Sequence, residues 1–290
     1  MKVSPAPDPK DPSKACESFA YVGENSKMHF EMRSQGSSRD QMLLEGLRLG
    51  VVIVLGLVLA LIGSATIVIG GLLRTLREDT VEAALSCHAE EGTRHCQVSN
   101  TTRTALAYMV HIGFGLTLVL LAAALTAWAP AATGSGLPEL KAFLNGCHMP
   151  KILQPSTLVA KAIGTMLVVT SGLPIGREGP MVHIGAALAV CLSSIRYPGT
   201  TGRLLFEMRS PSAQRNWVGV GAAAGVAAAF NAPLGGILYS FEEVCSHWSP
   251  RMTWLSFLCS VTVVATIDVL TASSGGFVTS DSLVNGLDMR

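Results

Sequence analysis

Three short segments carry residue types that can bind an anion or move a proton. The first, Gly134-Ser135-Gly136-Leu137-Pro138-Glu139, reads as the start of a helix, with Pro138 in the first turn and Ser135 or Gly136 as the cap. Free amides and the dipole at such an end attract an anion, glycines let the backbone approach it, and the Ser135 hydroxyl adds a donor. The second, Gly176-Arg177-Glu178-Gly179-Pro180, again puts Gly and Pro at a helix start, now with a carboxylate at its mouth. Flanked by apolar sequence on both sides, Glu178 can occupy an anion site itself and leave it when protonated or displaced. The third, GVGAAAGVAAAFNAPLGGILYSFEEV over 219–244, ends in Glu242-Glu243. Paired acids at a helix C-terminus oppose the dipole, which argues for a proton relay over helix stability. Each motif also has a plainer reading: a capped loop, a capping charge, a solvated helix end.

The elements that must position these segments are membrane helices. A long apolar span runs from about Met42 to Leu76, and a second from about Thr104 to Ala129. Each exceeds the roughly 20 residues that cross a bilayer core. Between them, from Arg77 to Arg103, the chain is polar. After Pro130 the apolar segments shorten and are broken by Gly and Pro: 137–145, 155–172, 179–195, 217–230, 232–242 and 252–271. Broken half-helices of this kind bring helix ends to mid-membrane depth in transporters, where irregular backbone survives only in protein or beside a cavity.

Composition agrees. Of 290 residues, 49% are hydrophobic and 14% charged, against about 25% charged in a soluble domain. The net charge of +1 offers no field for nucleic acid. Residues 1–41 are polar and Pro-rich, with no apolar stretch of a cleaved leader, and read as a disordered cytosolic tail. Lys2, Lys10, Lys14, Lys27, Arg33, Arg39 and Arg48 precede or open the first span, which places the N-terminus in the cytosol and the 77–103 loop outside or in a lumen. That loop holds Cys87, His88, His95 and Cys96, which match no common zinc spacing and can equally be thiols or a disulfide. No metal and no cofactor is expected.

The ordered series GSGLPE, GREGP and GAAAGVAAAFNAPLGGILYSFEEV resembles the CLC family of chloride channels and chloride/proton antiporters over residues 42–272. The resemblance implies an all-α membrane protein of inverted-repeat design, present here as the first repeat only. It makes 273–290 a trailing segment before a second repeat. No Gly-x-Phe-x-Pro motif of that repeat occurs, so the resemblance implies an incomplete subunit of a form that is a homodimer when complete. It also implies that Ser135, Gly136 and Gly179 bind chloride, that Glu178 is the gate and that Glu243 transfers protons. Channels of the family usually carry an apolar residue in place of the second acid, so Glu243 favours chloride/proton antiport. Nitrate-preferring plant relatives tend to carry Pro at the Ser135 position, which favours chloride.

The implied partners are chloride, protons and the bilayer of a plasma or organelle membrane. The other functions to weigh are a passive voltage-gated chloride channel and a non-conducting fragment that pairs with a full subunit. An enzyme reading, an intramembrane serine protease pairing Ser135 with His183, lacks the glycine that its motif needs at Thr133. No enzymatic activity is expected.

Overall fold

The computed structural model describes residues 38–86, 100–147, 149–195, 208 and 211–273. Cys87, His88, His95 and Cys96, most of the tail before Met42, and residues 274–290 lie outside the described residues. The described residues form helices and connections and contain no strand: α1 (Ser38–Ser86), α2 (Asn100–Trp128), a 3-10 turn (Pro130–Ala132), α3 (Leu137–Leu144), α4 (Pro155–Thr170), α5 (Glu178–Ser193), α6 (Pro211–Phe230), α7 (Pro233–Tyr239), a π turn (Ser240–Val244) and α8 (Pro250–Ser273).

Proline sets most of the starts. Pro138, Pro155 and Pro233 each occupy one of the first two positions of a helix, where the missing N–H has no intrahelical role. Among the described residues three helical stretches are long and apolar enough to cross a membrane: Met42–Ala83, Thr104–Trp128 and Pro250–Ala272. α3 has 8 residues and α4 and α5 have 16 each. At about 1.5 Å per residue these are roughly 12 and 24 Å long, short of the ~30 Å hydrocarbon core.

Several boundaries differ from the sequence reading: α1 opens at Ser38, inside the 1–41 segment read as a disordered tail, and α6 opens at Pro211, ahead of 217. α1 does not stop near Leu76 but continues to Ser86 through Glu78, Asp79, Glu82 and two alanines. Those residues are polar enough to leave the membrane yet still favour helix, so polarity ends the span without ending the helix.

α5 and α6 form the centre, and glycines bring their backbones together. A Cβ at Gly185 would overlap the Gly221 carbonyl oxygen, and one at Gly225 would lie 2.9 Å from the Val182 Cα. Small residues permit this approach without a side-chain layer between the helices. One face of the pair packs against α1 and α8 through Leu55, Leu59, Ile184, Val220 and Val263. The other packs against α3 and the π turn through Leu140, Val182, Ala222 and Val244. The short helix α3 is thus anchored by Leu140 and Leu144 on α5, which fixes where its N-terminus points.

Candidate functional site

The starts of α3 and α5 meet. Gly136 caps α3 in the left-handed region, with φ +84°, a conformation that glycine adopts without the cost a Cβ would add. There is no space for a Cβ either: it would lie 2.6 Å from the His183 Cγ and 2.8 Å from the Lys161 Nζ. One residue earlier, Ser135 lies against Gly179 in the first turn of α5, where an added Cβ would sit 2.9 Å from the Ser135 Cβ. The Ser135 Oγ accepts a long hydrogen bond of 3.4 Å from the Leu137 N–H, while Gly136, the capping residue, contributes no side-chain bond. Ser135 is solvent-exposed and its hydroxyl hydrogen has no acceptor among the described residues.

A cavity of about 420 Å³ opens where these ends converge. Gly134, Ser135, Gly176 and Gly179 line one side, and Lys161 of α4 lines another. Residues of α2 and α4, among them Ala122, Thr126 and Val168, close the rest. Lys161 is 3% exposed and its Nζ has no hydrogen-bond partner among the described residues. Glu139 Oε2 and His183 Nδ1 are buried without a partner as well. The other ring nitrogen, His183 Nε2, is 2.9 Å from the Ile152 carbonyl oxygen, so it carries the proton and Nδ1 is left as an acceptor. An unpaired ammonium is costly to bury. Beside two helix starts and a cavity, the ammonium offers a donor to an anion, with the Glu139 carboxylate close enough to offset part of its charge.

Glu178 is the first residue of α5, after Arg177 as the cap. It is exposed, and its carboxylate folds back over Gly176, whose added Cβ would overlap Oε2 and lie 3.2 Å from Oε1. The carboxylate therefore sits at the rim of the cavity that Gly176 lines. Arg177 turns the other way and donates to the Ala229 carbonyl oxygen at 3.2 Å, tying the α5 start to the end of α6.

Glu243 is not part of this cluster. It lies in the π turn after α7, where the Cys245 N–H reaches back to the Ser240 carbonyl oxygen at 2.9 Å. The sequence reading placed Glu242 and Glu243 at an ordinary helix end; the wider turn is what the structure adds. Both acids are exposed, and Glu243 forms an ion pair with Lys141 of α3, with Nζ 3.0 Å from Oε2. Two residues of the arrangement, Lys161 and Lys141, were absent from the candidate set read from sequence. A lysine inside the apolar stretch 155–170 is itself a signal; the Lys141 contact has none.

Residues 115–285 match the family described as Voltage gated chloride channel. The chain is 45% identical over 148 residues to Chloride channel protein D of Dictyostelium discoideum, covering 50% of this chain and 15% of that protein. It is 41% identical over 161 residues to the human H(+)/Cl(-) exchange transporter 7, covering 54% and 20%. The alignments thus span a fifth or less of these two relatives. A crystal structure of a eukaryotic CLC transporter superposes with a TM-score of 0.64 at 27% identity, covering 78% of this chain and 39% of that one. A slow cyanobacterial Cl-/H+ antiporter shares the fold, with a TM-score of 0.57 at 24% identity, covering 77% and 46%. With long apolar helices and a family match over more than half its length, the chain is a multi-pass membrane protein that belongs to the voltage-gated chloride channel (CLC) family.

Proposed function

We propose that the protein contributes to chloride transport coupled to proton movement in the opposite direction. The observation that carries the reading is the convergence of Ser135 and Gly179 at one cavity beside the buried, unpartnered ammonium of Lys161, with Gly136 packed against that lysine just behind the lining. Chloride binds there, held by helix-end amides, the Ser135 hydroxyl and the positive charge of Lys161. Glu178 gates the site from its rim by competing for the same donors. Glu243, outside the cavity on the π turn, exchanges protons with the aqueous side and does not bind chloride. The names of relatives supply the ion pair: one is a proton/chloride exchanger. In the complete transporting form, two such subunits form a homodimer.

A passive chloride channel is the second reading, favoured by relatives that carry the name of channel. Simultaneous chloride and pH recordings from vesicles containing the protein separate the two. Antiport predicts that chloride loading drives protons the other way, that Glu243→Ala stops the proton signal and that chloride flux persists. Chloride flux without proton movement in the unaltered protein would favour the channel, and loss of chloride flux with Glu243→Ala would defeat the role given to that acid.

A further inference from the structure

Lys141 lies one turn beyond the Gly136 cap on α3, and its ammonium crosses 102 positions of sequence to meet Glu243. The side chains of the pair are 42% and 58% exposed. A pair so open to solvent adds little net stability, so holding the fold together does not account for it. It acts within a segment that is fixed on both flanks. Ser240 Oγ donates to the Gly219 carbonyl oxygen at 2.9 Å, and Ser246 Oγ donates to Asn145 Oδ1, the residue that caps the end of α3. Glu242 and Glu243 stand between these ties. Neighbouring residues on a helical turn point in different directions, and only Glu243 is paired with Lys141. The same helix begins at Gly136 against Lys161 and His183. The stretch of α3 from Gly136 to Lys141, five residues or roughly 7.5 Å, therefore links the helix start beside the cavity to the lysine that meets the acid.

We propose that Lys141 is the positioning residue that selects Glu243 over Glu242 as the proton-exchanging acid, and that α3 ties this acid to the anion cavity. The inference rests on the antiport reading above. Lys141 takes no proton in the exchange; it fixes where the Glu243 carboxylate waits.

Two measurements test it on the full chain. A zero-length carbodiimide joins an amine only to a carboxylate already in contact with it. Mass spectrometry of the treated, detergent-solubilised protein is expected to find a Lys141–Glu243 amide and no Lys141–Glu242 amide. In vesicles, Lys141→Met is expected to lower the proton-to-chloride ratio by roughly fivefold, the scale that loss of one exposed pair allows, and Lys141→Arg to restore it. A cross-link to Glu242, or an unchanged ratio in Lys141→Met where Glu243→Ala stops proton movement, overturns the inference and leaves the antiport reading standing. A chain that moves no protons, or that keeps its proton movement in Glu243→Ala, overturns that reading and the Lys141 role with it.

Discussion

Ser135 and Gly179 touch across the cavity: a Cβ added to Gly179 would come within 2.9 Å of the Ser135 Cβ, closer than side chains pack. Two helix starts distant in sequence are thereby held at one point, and the contact tolerates no methyl group. Gly179→Ala must push α3 and α5 apart. Overpacking of this kind costs about 1–3 kcal/mol, and the better helix propensity of Ala returns up to ~1 kcal/mol. A modest fall in the detergent-phase melting temperature is expected, together with a chloride affinity lower by about tenfold, or ~1.4 kcal/mol. Titration calorimetry of the solubilised protein checks the second part, and unchanged affinity would separate Gly179 from the site.

Lys161 opposes stability to function. Its Nζ is buried without a partner, and Glu139 is close enough to act on it electrostatically. Replacing only the lysine would strand that carboxylate, so the paired change Lys161→Met with Glu139→Gln is the informative one. Exchanging buried charges for neutral groups of similar volume is often neutral or stabilising by about 1–4 kcal/mol. The double variant is expected to melt at the same temperature or higher while binding chloride at least roughly tenfold more weakly, a loss of ~1.4 kcal/mol. Weaker binding accompanied by unfolding would point to a structural lysine.

The way the site was legible differs from residue to residue. Pro138, Pro155 and Pro233 announced their helix starts because proline suits only the first turn, so the broken architecture could be read directly. Ser135, Gly136 and Gly179 were recognisable as helix-end residues, but their meeting depends on Leu140 and Leu144 anchoring α3 on α5, a tertiary contact. The Lys141–Glu243 pair depends on the same docking and left no mark in local sequence. Lys161 did leave one, since a lysine amid apolar residues asks for a reason. The π turn at Ser240–Val244 had no signature, because one extra residue in a turn changes neither composition nor periodicity enough to show.

The central helix pair gives a prediction independent of transport. At Gly221 an added Cβ would lie 2.7 Å from both the Ala189 Cβ and the Gly185 carbonyl carbon, and backbone cannot swing aside as a side chain can. Gly221→Ala is expected to destabilise by about 1–3 kcal/mol or more. At Gly50 and Gly113 nothing lies within 4 Å. There the same change is expected to be neutral or to stabilise by up to ~1 kcal/mol through helix propensity. Thermal unfolding of the three variants side by side decides the matter, and equal effects would mean that the α5–α6 approach is not needed.

Two substitutions test the gating role proposed for Glu178 from different sides. Its carboxylate lies over Gly176 at the rim of the cavity. Glu178→Gln keeps the shape and removes the proton-dependent charge, so anion flux is expected to lose its pH dependence and proton movement to stop. Gly176→Ala keeps the acid but takes the space that its carboxylate occupies. It is expected to leave pH dependence in place and change the flux itself. If both variants behave alike in vesicle recordings, crowding alone explains the effect and the titrating charge of Glu178 has no part in it.

Selectivity tests Ser135 separately from the amides around it. The Ser135 oxygen already accepts from the Leu137 N–H at 3.4 Å, which leaves its hydroxyl hydrogen available to the anion proposed to bind here. A hydrogen bond to a charged group contributes about 1.5–3 kcal/mol. Chloride is compact and gains most from a single short donor; nitrate spreads its charge over three oxygens and gains more from the amides. Ser135→Ala removes the donor and leaves the backbone free, so chloride affinity is expected to fall by roughly tenfold, or ~1.4 kcal/mol, with nitrate affected less. Ser135→Pro removes the donor and stiffens the approach to Gly136, and is expected to shift preference further toward nitrate. Competition between the two anions at equal concentration reads the ratio directly. A ratio identical in all three proteins would reduce Ser135 to a helix cap.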